Sequence, residues 1–299
     1  MQDNHPMNGR LTHKSVLLNE VINILDPKPG EFFIDGTMDG GGHARAILEK
    51  ISPNGIFLGL DWDNRMIENF RLDGKYRNKT ILISDNFKNI PLILKAKKLE
   101  KANGLILDLG FSSEQIEAGG RGFSFLRNEP LKMTYSDSFK PAYEWLNRLR
   151  IAELAKIIKD FGEEKFANQI AHAIKKNLPI LTSGKLVDVI RAAVPKSYER
   201  GRINPATRTF QALRIFVNEE LENLKEILRI VPQILLPNGR LAIISFHSLE
   251  DRIVKNAFRE LQKSGQAEIL TKKPIISSRA ETLINPRSRS AKLRAISII

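Results

Sequence analysis

The sequence contains no cysteine, which excludes disulfide bonds, thiolate metal sites and cysteine nucleophiles. No run approaches the roughly eighteen consecutive apolar residues that suggest a membrane-spanning helix. The amino-terminal stretch is polar and lacks the apolar centre of a secretory signal. The five histidines, at positions 5, 13, 43, 172 and 247, include no pair with the helical spacing of a metal site. These absences predict a cytoplasmic protein that uses neither a membrane nor a metal.

Acidic residues are scarce relative to basic ones. Lysine and arginine number 47 against 34 aspartates and glutamates, so the net charge is +13. Such an excess attracts polyanions, and nucleic acid is the expected one. A uniformly basic proteome is the alternative explanation. The stretch 272–294 carries seven basic residues and one acid, which favours phosphate contacts over a solvated tail.

The stretch 32–61 has the pattern of a nucleotide-type cofactor site. An apolar run ends on Asp35, a loop with four glycines leads into a helical segment, and a second apolar run ends on Asp61. Glycines let backbone N–H groups approach a ligand, and a helix N-terminus favours negative charge. An acid at the tip of the second strand is placed to accept hydrogen bonds from ribose. The alternative is an ordinary turn between a strand and a helix.

The loop alone does not name the cofactor. It does not match the G-x-G-x-x-G pattern of NAD-binding loops, and the sequence has no G-x-x-x-x-G-K-[ST] loop for a nucleoside triphosphate. S-adenosylmethionine (SAM) fits better, because it requires a backbone cradle and an acid but no pyrophosphate site.

Helices and strands alternate up to Asp108. The predicted elements are helices over 13–25, 44–50, 62–74 and 90–100, and strands over 32–35, 56–61, 80–83 and 104–108. This alternation is typical of a parallel sheet with helices on both faces. Ligands bind at the carboxyl ends of such strands, so we expect four acids to face one crevice: Asp35, Asp61, Asp85 and Asp108.

The pattern becomes entirely helical between 142 and 194, with an N-cap at Thr182 or Ser183. Afterwards the sequence predicts one long helix over 207–230, a strand over 239–245, a helix over 249–262 with an N-cap-like Ser248, and a last strand over 295–299. We therefore predict an α/β sheet domain interrupted by an inserted helical domain. The predicted boundaries are 1–110 and 206–299 for the sheet domain and 111–205 for the insert.

Several segments resemble one known family. They are HKSVLLNE, DGTMDGGGHA, LILDLGFSSEQ, RGFSF, FGEE, NPATRTFQALRIFVNEEL, ISFHSLEDRIVK and NPRSRSAKLR, in this order from His13 to Arg294. Together they are similar to the bacterial 16S rRNA cytosine-N4 methyltransferases of the RsmH or MraW type. The resemblance implies a Rossmann-like SAM-dependent methyltransferase sheet interrupted by an all-helical domain that helps to recognise RNA. It also implies methylation of a cytosine N4 in the decoding centre, near the P site of the small ribosomal subunit.

The resemblance also assigns cofactor-binding positions. Carried over residue by residue, they are Gly41, Gly42, His43, Asp61, Phe87, Asp108 and Gln115. The pattern of strands and glycines had already indicated the loop, Asp61 and Asp108. It did not indicate Gln115, and it singled out Asp85 where the family pattern has Phe87.

The chain departs from the family pattern in two segments. Asp39 stands where the loop usually has glycine. Its added negative charge would weaken cofactor affinity, or the side chain points to solvent, which is the interpretation we favour. After RGFSF the usual P-L-D-M-R-M is Pro-Leu-Lys-Met-Thr-Tyr, with Lys132 in place of the acid and Thr134 in place of the base. No role is carried over to Lys132 or Thr134.

Three residues are candidates for catalysis. The segment from Asp108 to Ser113, including Ser112, occupies the place where amino-methylating enzymes carry an acid or amide followed by an aromatic. Asp108 or its neighbours' carbonyls would accept a hydrogen bond from N4, and Phe111 would stack. Alternatively, Asp108 contacts only SAM and Phe111 belongs to the core. His247 is a candidate general base or a contact to the edge of the substrate base, although a lone histidine more often has a structural role.

Arginines are the predicted RNA contacts. They are Arg200, Arg202, Arg208, Arg287, Arg289 and Arg294. We expect 16S rRNA within the small subunit as partner, and a homodimer. Two alternatives remain at this point: a SAM methyltransferase with another target, such as DNA or a protein, and a ribosome-assembly factor that binds RNA without turnover.

Overall fold

The centre of the molecule is a single mixed sheet. In the computed structural model, which describes residues 15–70, 80–110, 119–199 and 204–299, this sheet contains eight strands. They are β1 (Phe32–Asp35), β2 (Ile56–Asp61), β3 (Thr80–Ser84), β4 (Ala102–Asp108), β5 (Leu235–Ser245), β6 (Ala267–Ile269), β7 (Ile275–Ile276) and β8 (Lys292–Ile298). The order is β3-β2-β1-β4-β5-β8-β6, and β7 pairs with β8 outside this path. Strands β1 to β5 are parallel, whereas β8 is antiparallel to its partners β5, β6 and β7.

The parallel half of the sheet follows from the apolar runs in the sequence. Every residue of β1 is buried, as are all but the first of β2, because helices cover both faces. The strand order reverses direction between β1 and β4, and this switch point opens a crevice at the carboxyl ends of the strands. The predicted α/β fold of the Rossmann type is confirmed.

Helices cover the sheet and also pack with one another. Before β5 they are α1 (Leu18–Leu25), α2 (Gly42–Ile51), α3 (Asn64–Asn69), α4 (Ile90–Lys97), α5 (Ala142–Arg148), α6 (Ile151–Gly162), α7 (Ala167–Lys176), α8 (Ser183–Ala193), α9 (Lys196–Glu199), α10 (Ala206–Val217) and α11 (Glu220–Ile234). After β5 come α12 (Ser248–Lys263) and α13 (Arg279–Ile284). Short 3₁₀ turns cover Phe87–Asn89 and Pro286–Ser290. Among the described residues, no helix is long and apolar enough to cross a membrane.

Successive strand residues pack on opposite faces of the sheet, as the pleat requires. Ile34 belongs to the core formed with α4, α11 and α12, whereas Phe33 packs with α1 and α2. The two faces therefore have separate cores, and the strand ends between them remain free to bind ligands.

A third core, built by α5 to α8 and α10, includes no residue of the sheet. The helices predicted between 142 and 194 are present, and Thr182 caps α8 by accepting from the Lys185 N–H at 3.3 Å. Phe210 and Leu213 of α10 belong to this helical core, although the predicted division places them with the sheet. The three-part domain division stays a prediction.

The single helix predicted over 207–230 is wrong, because α10 and α11 are separated by a break. At the break, the buried Asn218 amide donates to the Met133 carbonyl at 2.8 Å and accepts from the Tyr135 N–H at 2.9 Å. The next residue, Glu219, has a φ of 51°. The apolar periodicity continues across this break, so the sequence pattern does not reveal it.

The helix predicted over 13–25 begins later than expected. Leu17 has a left-handed φ of 53°, and α1 starts at the following residue. The Leu17 N–H donates to the Glu281 carboxylate of α13 at 2.8 Å. A contact from the carboxyl-terminal segment therefore fixes the beginning of this helix.

Candidate active site

Two cavities lie at the carboxyl ends of the parallel strands. The first, which we call the strand-end cavity, has an open volume of about 600 Å³, and its lining includes Gly36, Asp61, Trp62, Asp85, Phe87 and Glu220. The second, the aromatic cavity, has an open volume of about 1230 Å³, and its lining includes Asp108, Phe123, Phe125, Phe210, Gln211 and His247. Asp39, Leu109 and Gly110 line both cavities. The end of β4 is therefore the wall that they share.

Asp61 is held rigidly at the end of β2. Its carboxylate accepts from the Asp63 N–H at 2.8 Å and from the Asp39 N–H at 3.0 Å. Burial raises the pKa of Asp61 to about 7. Asp61 and Trp62 both line the strand-end cavity. A fixed acid next to an aromatic surface suits the ribose and base of a nucleoside.

The glycine loop contributes to the site through its first residues. Thr37 and Asp39 line the strand-end cavity. Asp39 is half-buried, and its orientation toward solvent stays a prediction. Gly41 has a φ of 72°, and a Cβ there would overlap the Phe70 ring. A Cβ on Gly42 would overlap the Ser15 hydroxyl. These two glycines thus allow close packing of the loop.

Gly41, Gly42 and His43 do not line either cavity in their described positions. The His43 ring contacts the Val16 carbonyl through Nε2 at 3.0 Å, and its Nδ1 lies 3.7 Å from Asp108 Oδ2. His43 therefore supports the wall behind Asp108. Contact of these three residues with the cofactor stays a prediction.

Two predicted cofactor residues follow the end of β3: Asp85, from the strand pattern, and Phe87, from the family resemblance. Asp85 and Phe87 line the strand-end cavity. Asp85 Oδ1 accepts from the Asn86 N–H and from Asn89 Nδ2, both at 2.7 Å, so its carboxylate also shapes the turn.

The expectation that four acids face one crevice is wrong for Asp35. This residue is buried, lines neither cavity, and accepts from the Thr37 N–H at 3.0 Å. Burial raises its pKa well above the usual value. Asp35 therefore stabilises its own loop. Of the other three acids, two line the strand-end cavity and Asp108 lines the aromatic cavity.

Asp108 has the environment of a reactive carboxyl group. Its N–H donates to Thr37 Oγ1 at 2.6 Å, which fixes the end of β4. The side chain is buried, and Oδ1 has no hydrogen-bond partner in the described part of the chain. Burial, followed by the negative charge of Glu250, raises the pKa of Asp108 to about 8. Such a group can accept or release a proton near neutral pH.

His247 closes the far side of the aromatic cavity and caps α12. Its Nδ1 accepts from the Glu250 N–H at 3.4 Å, and the Glu250 carboxylate accepts from the Phe246 N–H at 2.9 Å. The expectation of a cap at Ser248 is wrong, because Ser248 is the first residue of the helix. His247 Nε2 also lies 3.1 Å from Glu250 Oε1. His247 therefore both caps α12 and lines the aromatic cavity.

An ion pair whose two side chains are each 11% exposed joins the two cavities, and the sequence did not reveal it. Arg214, on the wall of the aromatic cavity, donates to Glu220 through Nε at 2.9 Å and a terminal nitrogen at 3.0 Å. The Tyr135 hydroxyl donates to the same carboxylate at 3.0 Å. Glu220, His247 and Glu250 bring possible metal-ligand atoms within 4.8 Å of one another. However, both Glu220 oxygens already accept hydrogen bonds from Arg214.

The predicted RNA-binding arginines have different environments. Arg287 is exposed and lines the aromatic cavity, and Arg289 is exposed beside it. Arg208 donates to the Glu163 carbonyl at 2.9 Å. Arg294 is only 8% exposed on β8 and donates to the Asp251 carboxylate at 2.6 Å. The expectation that Arg294 contacts phosphate is therefore wrong for this arrangement.

The remaining candidates lie outside the described residues: Phe111, Ser112, Gln115, Arg200 and Arg202. The structure adds lining residues that the sequence analysis missed, notably Trp62, Asn86, Tyr135, Phe210, Gln211 and Asn223. One face of α10 carries three of the lining residues at helical spacing: Phe210, Gln211 and Arg214. This spacing is the sequence pattern that could have indicated them.

Comparison with known proteins gives consistent matches over the chain. The model of the MraW methylase family matches residues 10–299. The chain is 44% identical over 305 aligned positions to "Ribosomal RNA small subunit methyltransferase H" of Syntrophotalea carbinolica, covering 95% of this chain and 97% of the relative. The protein of the same name from Clostridioides difficile is 42% identical, with coverages of 94% and 97%. Among solved structures, an rRNA methylase from Streptococcus thermophilus gives a TM-score of 0.41 at 10% identity, with coverages of 94% and 93%.

Proposed function

The chain belongs to the MraW methylase family, and we propose that it methylates the exocyclic N4 of a cytosine in the decoding centre of 16S rRNA, near the P site. The name of its relatives, ribosomal RNA small subunit methyltransferase, supports rRNA of the small subunit as the substrate. The N4 position rests on the geometry around Asp108. The absence of cysteine is consistent with this target, because methylation of cytosine C5 uses a thiolate.

The methyl donor is SAM, and the strand-end cavity fits it. Asp61 is placed to accept from the ribose hydroxyls, and Trp62 and Phe87 offer apolar surface for the adenine. When bound, SAM supplies a methyl group already activated by its sulfonium. The protein's task is then to position the acceptor nitrogen and remove its proton.

The aromatic cavity is suited to a base that has left its stack. Phe125 and Phe210 form an edge-to-face pair with centroids 5.8 Å apart, and Phe123 also lines the wall. Enzymes that modify a base insert it in such a pocket and hold it by stacking and edge contacts. Since the two cavities share Leu109 and Gly110, a base here would approach the cofactor at the end of β4.

One observation carries the choice of an amino group as the acceptor. The buried Asp108 on the aromatic cavity has a carboxylate oxygen without a hydrogen-bond partner in the described structure. In this proposal, that oxygen accepts a hydrogen bond from N4 and orients its lone pair. The carboxylate then receives the proton that N4 loses after methyl transfer. Its raised pKa suits it to this task.

The function is tested by mass spectrometry of 16S rRNA fragments from cells with and without the gene. One methyl group on a decoding-centre cytosine should disappear on deletion and return with the wild-type gene. Mapping the methyl to ring carbon or ribose would overturn the N4 assignment. Purified small subunits that bind the protein but gain no labelled methyl from SAM would instead indicate an assembly factor without turnover. Methyl transfer to DNA or protein alone would indicate another target.

RNA binding is expected to weaken steeply with salt, because arginines contact phosphate. Replacing both Arg287 and Arg289 by alanine should lower the magnitude of the slope of log affinity against log salt by about 1.4–1.8. Fluorescence anisotropy with a labelled decoding-centre RNA measures this slope. Lys50→Ala is the control, since this exposed lysine lies at the opposite end of α2 from the site. Identical slopes for wild type and the double variant would contradict the assigned footprint.

A further inference from the structure

Two buried asparagines on the strand-end cavity each have one unused polar atom. Asn86 and Asn223 both line the cavity and are 3% and 2% exposed. Asn86 Nδ2 and Asn223 Oδ1 have no hydrogen-bond partner within the described residues. Leaving a buried donor or acceptor unpaired is destabilising. A ligand that pairs both atoms would relieve this cost.

The remaining hydrogen bonds fix which atom of each amide is unused. Asn86 Oδ1 accepts from the Lys88 N–H at 3.0 Å and caps the short turn after β3. Asn223 Nδ2 donates to the Asn218 carbonyl at 3.0 Å. Turning either amide over would place like groups together and break these bonds. Asn86 therefore offers a donor, and Asn223 offers an acceptor.

We propose that Asn86 and Asn223 read the adenine ring of SAM: Asn86 donates to a ring nitrogen, and Asn223 accepts from the 6-amino group. This inference rests on SAM as the cofactor. The other polar groups of SAM suit these atoms less well. Its carboxylate favours cationic partners, its ammonium and sulfonium favour acids, and its ribose lies with Asp61. Adenine has one neutral acceptor, a ring nitrogen, beside one neutral donor, the 6-amino group. These two groups match the unused Asn86 donor and the unused Asn223 acceptor.

The position of the two asparagines agrees with this assignment. Asn86 immediately precedes Phe87, whose ring lines the same cavity. The 3₁₀ turn that begins at Phe87 packs against α11, which carries Asn223. Both unused atoms are shielded from water. The adenine must therefore displace a neighbouring side chain slightly, and pairing with the ring compensates for that rearrangement.

Exchange of adenine for hypoxanthine tests the inference without turnover. In the 6-oxo analogue, a carbonyl replaces the amino group and the ring nitrogen N1 carries a hydrogen. A carbonyl facing Asn223 Oδ1 leaves two acceptors unpaired. Sites that hydrogen-bond a substrate group reject analogues lacking it by factors of about 10⁴. We expect wild-type protein to bind S-adenosylhomocysteine at least about 100-fold more tightly than S-inosylhomocysteine.

Titration calorimetry on the purified full chain gives this ratio for each variant. Asn86→Asp keeps the capping oxygen and removes the donor, and Asn223→Ala removes the acceptor. Each should reduce the preference to about tenfold or less. Lys88→Ala is the matched control on the same turn, because Lys88 does not line the cavity and keeps the backbone N–H that binds Asn86; its ratio should equal that of wild type. If Asn223→Ala unfolds, Asn223→Ser provides the same comparison.

Three results would contradict either the adenine contacts or the cofactor. Equal binding of the two ligands by wild type would overturn the inference. So would an unchanged ratio in Asn223→Ala or its serine replacement, which would assign the amino group to Asp85 instead. Failure of wild type to bind S-adenosylhomocysteine at all would reject the cofactor itself. This last result would test only the cofactor, because no RNA is present in the calorimetry, and the proposed RNA target would be tested separately.

Discussion

Replacing Asp108 by asparagine is expected to slow methyl transfer at saturating SAM by about 100-fold or more. The amide keeps the shape of the side chain but cannot receive the proton that N4 must lose. Asp108 lines the aromatic cavity and not the strand-end cavity, so S-adenosylhomocysteine should bind the variant about as well as wild type. Single-turnover assays on small subunits measure the rate, and calorimetry measures binding separately.

The pH dependence of the same rate gives an independent signature. Burial and Glu250 raise the pKa of Asp108 to about 8, so the cofactor-free carboxyl is mostly protonated at lower pH. Bound SAM brings a positive sulfonium, which shifts this pKa downward. The wild-type rate should therefore rise with pH and reach a plateau, whereas Asp108→Asn should lack that rise.

Asp35→Asn is the control for Asp108→Asn, because Asp35 is also buried at a strand end but lines neither cavity. It should slow the reaction far less than Asp108→Asn and should keep the rise of the rate with pH. Weaker ligand binding by Asp108→Asn, with an unchanged rate at saturation, would assign Asp108 to the cofactor alone and remove its catalytic role.

The strand ends could be predicted from the sequence because their signal is local. Each apolar run ends on a polar residue at the edge where parallel strands align, and this alone indicated Asp61 and Asp108. Asp35 shows the limit of the rule. It ends a strand in the same way, but the adjacent Thr37 N–H binds its carboxylate and directs it into the loop.

Residues contributed from distant segments could not be predicted. Glu220 and Asn223 are far along the chain from the strands whose cavity they line, and an acid in the first turn of a helix is common in any protein. Their position depends on the break at Asn218, which the apolar periodicity hides. The density of basic residues between 272 and 294 also gave a wrong prediction for Arg294. Side chains alternate between the two faces of a strand, and on β8 Arg294 lies on the face where it binds Asp251.

The ion pair between Arg214 and Glu220 connects the helical core to the cofactor site. Arg214 belongs to α10, which packs in the helical core, and Glu220 begins α11, which packs on the sheet. Because each side chain is only 11% exposed, removing one would leave a poorly solvated, uncompensated charge beside both cavities. The aromatic cavity and the strand-end cavity therefore meet at this ion pair.

Replacing Asp61 by alanine is expected to weaken binding of S-adenosylhomocysteine by about 100-fold, as hydrogen bonds to a charged group contribute about 1.5–3 kcal/mol each. The loss has two parts: the acceptor for the ribose hydroxyls disappears, and the N–H groups of Asp39 and Asp63 lose their partner. Asp61→Asn keeps one neutral acceptor and should lose less, about tenfold. Burial raises the pKa of Asp61 to about 7, so wild-type affinity should also decrease as the pH falls below that value.

A ligand without the 2′-hydroxyl separates the ribose contact from loosening of the loop. Wild type should bind the 2′-deoxy analogue at least about tenfold more weakly than S-adenosylhomocysteine. Asp61→Ala should bind the two ligands equally, because the hydroxyl no longer has its acceptor. If wild type also binds them equally, Asp61 does not contact the ribose. The acid would then act only on the loop, and the cofactor would have to be placed differently in the strand-end cavity.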